Sequence, residues 1–230
     1  MFFSKSIIAT TLFAATTLAA PLFSCSTAKA LMTLPANETA LAKQTGAPSF
    51  ALLGVGVQNY TCGADAKYAS AGAVAELFDI SCLGGTKAFD TVQDTAYNIF
   101  KLIPDKLISA KNAGLISAPI GVFSSGKHFF TPTANNGTAP VWDMRAVGVK
   151  SVQGKPDAYV LAAKVANLTA PNGAEDVPWL QLKNVEGDLA TAIYRINTRG
   201  GQPPASCAVG SAPISVKYTS KYFLFGSTVV

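Results

Sequence analysis

The chain has 230 residues, 49% of them apolar and only 13% charged, with 18 Lys and Arg against 13 Asp and Glu for a net charge of +5. That balance is too apolar and too weakly charged for a disordered chain. The basic residues are scattered, without the cluster that a nucleic-acid-binding face carries, so no nucleic-acid partner is expected.

In chain order, Lys5 precedes a run of small and apolar residues, IIATTLFAATTLAA, from Ile7 to Ala20. The run is too short to span a bilayer comfortably and closes on small residues, which reads as a secretory leader over residues 1–19. Ala28-Lys29-Ala30 offers a second small-x-small processing site. Leu22-Phe23-Ser24-Cys25 resembles a lipidation box, which the bulky Phe23 fits poorly. Residues 20–48 form a proline-bearing, Thr/Ala-rich lead-in, and residues 49–230 a single β-rich domain. No later apolar run is long enough to be a transmembrane segment.

The first predicted strand is LLGVGVQNYTC, 52–62, with Leu53, Val55 and Val57 on one face. Further strands are predicted at 72–82, 141–150, 158–167, 177–185 and 190–197, and APISVKYTSKYFLFG (212–226) closes the chain. In the strand at 141–150, Trp142 and Met144 oppose Val141, Val147 and Val149, and in that at 190–197, Ala192, Tyr194 and Ile196 oppose Ile193, Arg195 and Asn197. Many short strands between turn signals indicate a mainly β fold, a β-sandwich or a closed β-barrel of short antiparallel strands. One stretch departs from this. Phe89, Val92, Ala96, Ile99 and Ile103 recur three or four apart, and Pro104 follows, which predicts a helical insertion around 84–118 packed on the sheet.

Cys25, Cys62, Cys82 and Cys207 are even in number in a chain with an export leader, so disulfides are expected. Of the three pairings, Cys62–Cys82 as a local loop with Cys25–Cys207 as a long tie is favoured. No C-x-x-C spacing and a single histidine argue against zinc, and no metal or cofactor is expected. Sequons at Asn37, Asn59, Asn136 and Asn167 suggest N-glycosylation in a eukaryotic host.

His128 is the only histidine, so a Ser-His-Asp triad would have to use it. Ser124 and Ser125 nearby lack the G-x-S-x-G elbow. GVGVQ (54–58) is not a dinucleotide fingerprint, and no βαβ rhythm surrounds it. Asp79, Asp143, Glu175 and Asp176 are available as acids, but no spacing singles out a pair.

LLGVGVQNYTC, AVAELFDISCL, GKHFFTPTANNGTAPVWDM, VPWLQLK, YRINTRGGQPPASC and VKYTSKYFLF occur in the order seen in the DUF3455 family of exported fungal and bacterial proteins. The chain resembles that family over roughly residues 50–226, most specifically in N-T-R-G-G-x-P-P-x-x-C (197–207) and V-Q-N-Y-T-C (57–62). The resemblance implies an all-β secreted domain with no settled activity. The "malate dehydrogenase" label of some members finds no dinucleotide motif here. It also implies a shared set that includes His128, Trp142, Trp179, Arg195, Asn197, Arg199 and Cys207. Bacterial members with counterparts only of Cys62 and Cys207 imply those two as the shared bridge, against the pairing favoured above.

The candidate ligand-binding residues are His128, Trp142, Arg195, Asn197 and Arg199. Regular alternation would set Arg195, Asn197 and Arg199 on one face, where two guanidinium groups flanking an amide suit a carboxylate or sugar hydroxyls. The plainer reading pairs Arg195 with a neighbouring carboxylate and uses Asn197, Gly200 and Gly201 for the turn. Trp142 and Trp179 are core residues or sugar-stacking platforms. Three functions follow, in order. The first is a secreted, non-catalytic domain binding a cell-wall or host polysaccharide or a small ligand, favoured by an exposed tryptophan beside the arginines. The second is a hydrolase or lyase using His128 and a carboxylate, favoured by a cleft that joins them. The third is a structural protein of the wall or matrix, favoured by an absence of concave sites.

Overall fold

The computed structural model describes residues 25–107, 124–134, 137–146 and 152–229. The expected leader, the sequon at Asn136, the stretch 147–150 of the predicted third strand and the last part of the helical insertion lie outside these. Eight strands form a closed barrel in chain order, each antiparallel to the next, with the last returning to the first. They are β1 (Phe50–Cys62), β2 (Tyr68–Asp79), β3 (Ser124–Pro132), β4 (Thr138–Asp143), β5 (Tyr159–Leu168), β6 (Trp179–Glu186), β7 (Ala192–Gly200) and β8 (Ile214–Phe225). Closure removes sheet edges, and here it is made by the long register of β1 on β8, from Phe50 opposite Leu224 to Tyr60 opposite Ile214.

Alternation along each strand builds two cores. The inner one fills the barrel with Leu52, Leu77, Trp142, Met144, Val160, Leu182, Ile193, Tyr218, Tyr222 and Leu224. Gly54 faces the same interior, and a Cβ there would overlap the Tyr222 ring, so this glycine makes space for the aromatic. The outer core holds Leu53, Val55, Val57, Tyr194, Ile196, Phe223 and Phe225, the opposite faces of β1, β7 and β8. An apolar outer wall needs a cover, and the lead-in (Ala30, Leu41) and one helix supply it.

That helix, α1, spans Lys87–Lys101. The Thr86 side chain accepts from the Phe89 N–H at its start, and Asp90 and Lys101 sit at the ends where their charges favour the helix dipole. Its inward stripe is Phe89, Val92, Gln93, Ala96, Phe100 and Ile103. The expected Ile99 is instead 63% exposed. Phe100, larger and next in sequence, takes the inward position, since spacings of four, three, four and three from Phe89 run through 93, 96, 100 and 103.

Two further expectations are corrected. β3 was not among the predicted strands: SSGKHFFTP carries Gly, Lys and His where an apolar alternation would be sought, yet it pairs in full register with β4, His128 opposite Trp142. The favoured disulfides also do not form. The bridges are Cys62–Cys207 and Cys25–Cys82, with Cα separations of 5.8 and 4.9 Å. Cys62 lies at the hairpin end of β1 and Cys82 beyond the far end of β2, so about 35 Å of strand separates them. Closure of the barrel instead brings the loop after β7 to the β1–β2 hairpin, where the Cys207 N–H donates to the Ala66 carbonyl. Cys25–Cys82 ties the lead-in to the segment that enters α1. No described helix is long and apolar enough to cross a membrane.

Candidate functional site

The three residues expected on one face of β7 are dispersed. Arg195 faces inward, 8% exposed, and its guanidinium donates to the Pro178 carbonyl at 2.9 Å; among the described residues the expected pairing with a neighbouring carboxylate is not made. A register shift against β8 falls between Ile196 and Arg199, and Asn197 takes the left-handed φ of 51°. This bulge breaks the alternation on which the shared face depended. Asn197 consequently opens onto the outer wall, and Arg199 turns to α1, where it pairs with Asp94 and, at 3.3 Å, with Asp176. Asp176 also accepts from the Gly200 N–H at 2.6 Å, and burial raises its pKa despite both partners. Gly200, at φ 66°, leaves room for the Tyr97 hydroxyl of α1. The arginine of the turn thus docks the helix onto the barrel.

His128 and Trp142 lie inside the barrel, 2% and 1% exposed and stacked at 4.4 Å between ring centroids. Trp142 is a core residue and offers no platform to solvent. His128 Nδ1 lies 2.9 Å from the Val141 carbonyl, which can only accept, so Nδ1 carries the proton and Nε2 keeps its lone pair. Burial lowers the histidine pKa to about 3, and Arg195 adds to the lowering while the Val141 bond opposes it. The imidazole is therefore neutral at physiological pH. Asp143, the acid nearest in sequence, is engaged by Arg145 at 2.6 Å, which helps hold its carboxyl low although burial pushes it up. The cleft joining His128 to Asp143 that hydrolysis requires is not formed among the described residues.

Concave space lies outside the barrel. Between the lead-in, the start of α1 and the outer wall of β6–β8 runs a groove of about 420 Å³. Leu34, Phe89, Trp179 and Phe223 give it apolar walls, and Lys29, Asp90, Asn197 and Lys221 bring polar groups. That size and composition suit a small ligand fixed by a few polar contacts. Alternation in β8 puts Lys221 on the same covered face as Phe223 and Phe225, and the register sets it opposite Ile196. Leu180 pairs with Arg195, so Trp179 stands level with Ile196 on the same outer face. Trp179 and Lys221 are thus two strands apart, about 10 Å.

Two features of this wall are incomplete. The Trp179 indole N–H is buried and has no hydrogen-bond partner among the described residues. Lys221 is only 3% exposed, yet its ammonium has no carboxylate within ion-pair distance among them. It donates to the Asp90 carbonyl at 3.2 Å and sits 4.7 Å from the centre of the Phe89 ring. Burial lowers its pKa to about 8; Asp90 and Asp94 oppose this and Arg199 adds to it. Lys221 was missed in the sequence, although its place two residues before Phe223 on the covered face was readable from the alternation.

A second groove, about 710 Å³, lies between the end of α1, the turn at Gln202–Pro204 and the start of β8. No unpaired buried donor lines it, and its Lys217 is paired with Asp105 at 2.7 Å. Among the sequons, Asn37 and Asn167 are exposed, and Asn59 accepts from the Ser215 hydroxyl at 2.7 Å.

The family described as "Protein of unknown function (DUF3455)" matches residues 42–226. No curated protein and no solved structure matches the chain.

Proposed function

The chain belongs to the DUF3455 family, and on that premise we propose that it is a secreted, non-catalytic domain that holds a small amphiphilic ligand in the groove between the lead-in, α1 and the barrel wall. The observation that carries this reading is a groove of about 420 Å³ walled by Leu34, Phe89, Trp179 and Phe223, with the buried Lys221 among its lining. Apolar side chains around a few polar groups are the usual lining of a small-molecule site. The two disulfides and the leader expected in the sequence support an extracellular location. N-glycans would then stand on Asn37 and Asn167, both on the surface. A wall polysaccharide fits less well, because neither tryptophan turns a ring face to solvent: Trp142 is 1% and Trp179 3% exposed.

Titration of the disulfide-bonded protein with N-phenyl-1-naphthylamine, a neutral apolar fluorophore, tests the groove. Saturable binding of one probe per chain is expected, weakened at least about tenfold by Leu34→Arg, whose side chain would fill the space. Absence of saturable binding, or binding indifferent to Leu34→Arg, would overturn the proposal.

A further inference from the structure

We infer that the ligand of this groove is an apolar carboxylate, its acid group held by the Lys221 ammonium and its hydrocarbon or aromatic body lying on Phe89, Phe223 and Leu34. The inference rests on the binding role proposed above and adds the chemistry of what is bound.

An ammonium has three N–H donors. In Lys221 one of them meets the Asp90 carbonyl, the Phe89 ring takes part of the charge, and the side chain is 3% exposed. Among the described residues no other acceptor lies within hydrogen-bond distance of it. Buried cations are ordinarily paired, because water no longer solvates them. Carboxylates do stand nearby, Asp90 in the groove lining and Asp94 beyond it, but neither lies within ion-pair distance of Lys221. Asp94 is engaged by Arg199, and Asp90 meets Lys221 only through its backbone carbonyl. From the barrel side the facing charge is Arg199, and from the lead-in it is Lys29, both positive. An incoming anion therefore completes the ammonium's shell without displacing an existing partner.

Lys29 and Lys221 set two cations against the single carboxylate of Asp90 in the lining, and Asn197 adds amide donors, which favours a ligand that brings acceptor oxygens. Leu31, Leu34, Phe89, Trp179 and Phe223 supply an apolar wall, which favours a hydrophobic body over a sugar acid. A carboxylate bound to an ammonium by charge-assisted hydrogen bonds gains more than a neutral amide in the same place, since the amide carries no net charge. Lys221 lowered to about 8 is still mostly protonated at pH 7, and an adjacent carboxylate would raise it again.

Calorimetric titration with 4-phenylbutanoate and with 4-phenylbutanamide, matched in size and differing in charge, tests the inference. The acid should bind at least about tenfold more tightly than the amide. Lys221→Met should erase that preference, and Lys221→Arg should keep part of it. Equal affinity for acid and amide, or a preference that survives Lys221→Met, would overturn the carboxylate while leaving the groove intact if N-phenyl-1-naphthylamine still binds. If the naphthylamine, the acid and the amide all fail to bind, the groove and the carboxylate fall together.

Discussion

Replacing Lys221 by methionine should make the unliganded protein more stable while weakening its binding. The reason is a cation held where it is poorly solvated. Its pKa falls from 10.5 to about 8, equivalent to about 3 kcal/mol of unfavourable charging at neutral pH. Methionine matches the stem in length and packing and removes the ammonium. It also removes the bond to the Asp90 carbonyl and the contact with Phe89, together about 1–2 kcal/mol. A net gain of about 1–2 kcal/mol at pH 7 is expected. The wild type should also carry a distinct pH signature. Between pH 8 and 10 the folded lysine has lost its proton while the unfolded one keeps it, so the unfolded state binds more protons and stability rises with pH. The rise from this group is about 2 kcal/mol over that window. Above pH 10 the comparison is spoiled, because burial raises Tyr60 and Tyr218 in the folded state and their titration lowers stability. Urea unfolding of both proteins at pH 7, 8, 9 and 10 reads the effect. Parallel stability curves, or a Lys221→Met protein weaker than wild type at pH 7, would refute the account of a strained, half-satisfied ammonium.

The buried histidine predicts the complementary acid behaviour. His128 titrates at about 3 folded and near 6.5 unfolded, so its contribution is complete above pH 6.5 and is lost as pH falls, about 3 kcal/mol by pH 4. His128→Asn, whose amide can still donate to Val141, should flatten that part of the acid-unfolding curve; an unchanged slope counts against a neutral buried imidazole. The Cys62–Cys207 bridge closes a loop of 145 residues, and chain entropy assigns about 5 kcal/mol to it. The double variant Cys62→Ala, Cys207→Ala should therefore unfold at much lower urea, and an unmoved midpoint would show that closure of β1 on β8 suffices without it.

Much of the barrel was legible because strand alternation is a local property. Leu53, Val55 and Val57 do share a face, as do Tyr194 and Ile196, and the helix is where its period placed it. β3 was illegible because, of its inward positions Gly126, His128 and Phe130, only the last is large and apolar; only the barrel explains why a glycine and a histidine face a core. Of the candidate site residues, Asn197 alone reaches the groove, and the signal that would have found Lys221 was its register with Phe223.

The sequence by itself determined the β class, the family resemblance over residues 50–226, the helix and its stop at Pro104, and the presence of disulfides. These follow from periodicity, punctuation and composition, which are written along the chain. The tertiary structure decided the disulfide partners, the dispersal of Arg195, Asn197 and Arg199, and the groove. Those depend on which strand closes on which, and on one left-handed residue in a bulge. A single-residue register shift reverses the face of every side chain beyond it, and no pattern of hydrophobicity in β7 alone records that shift.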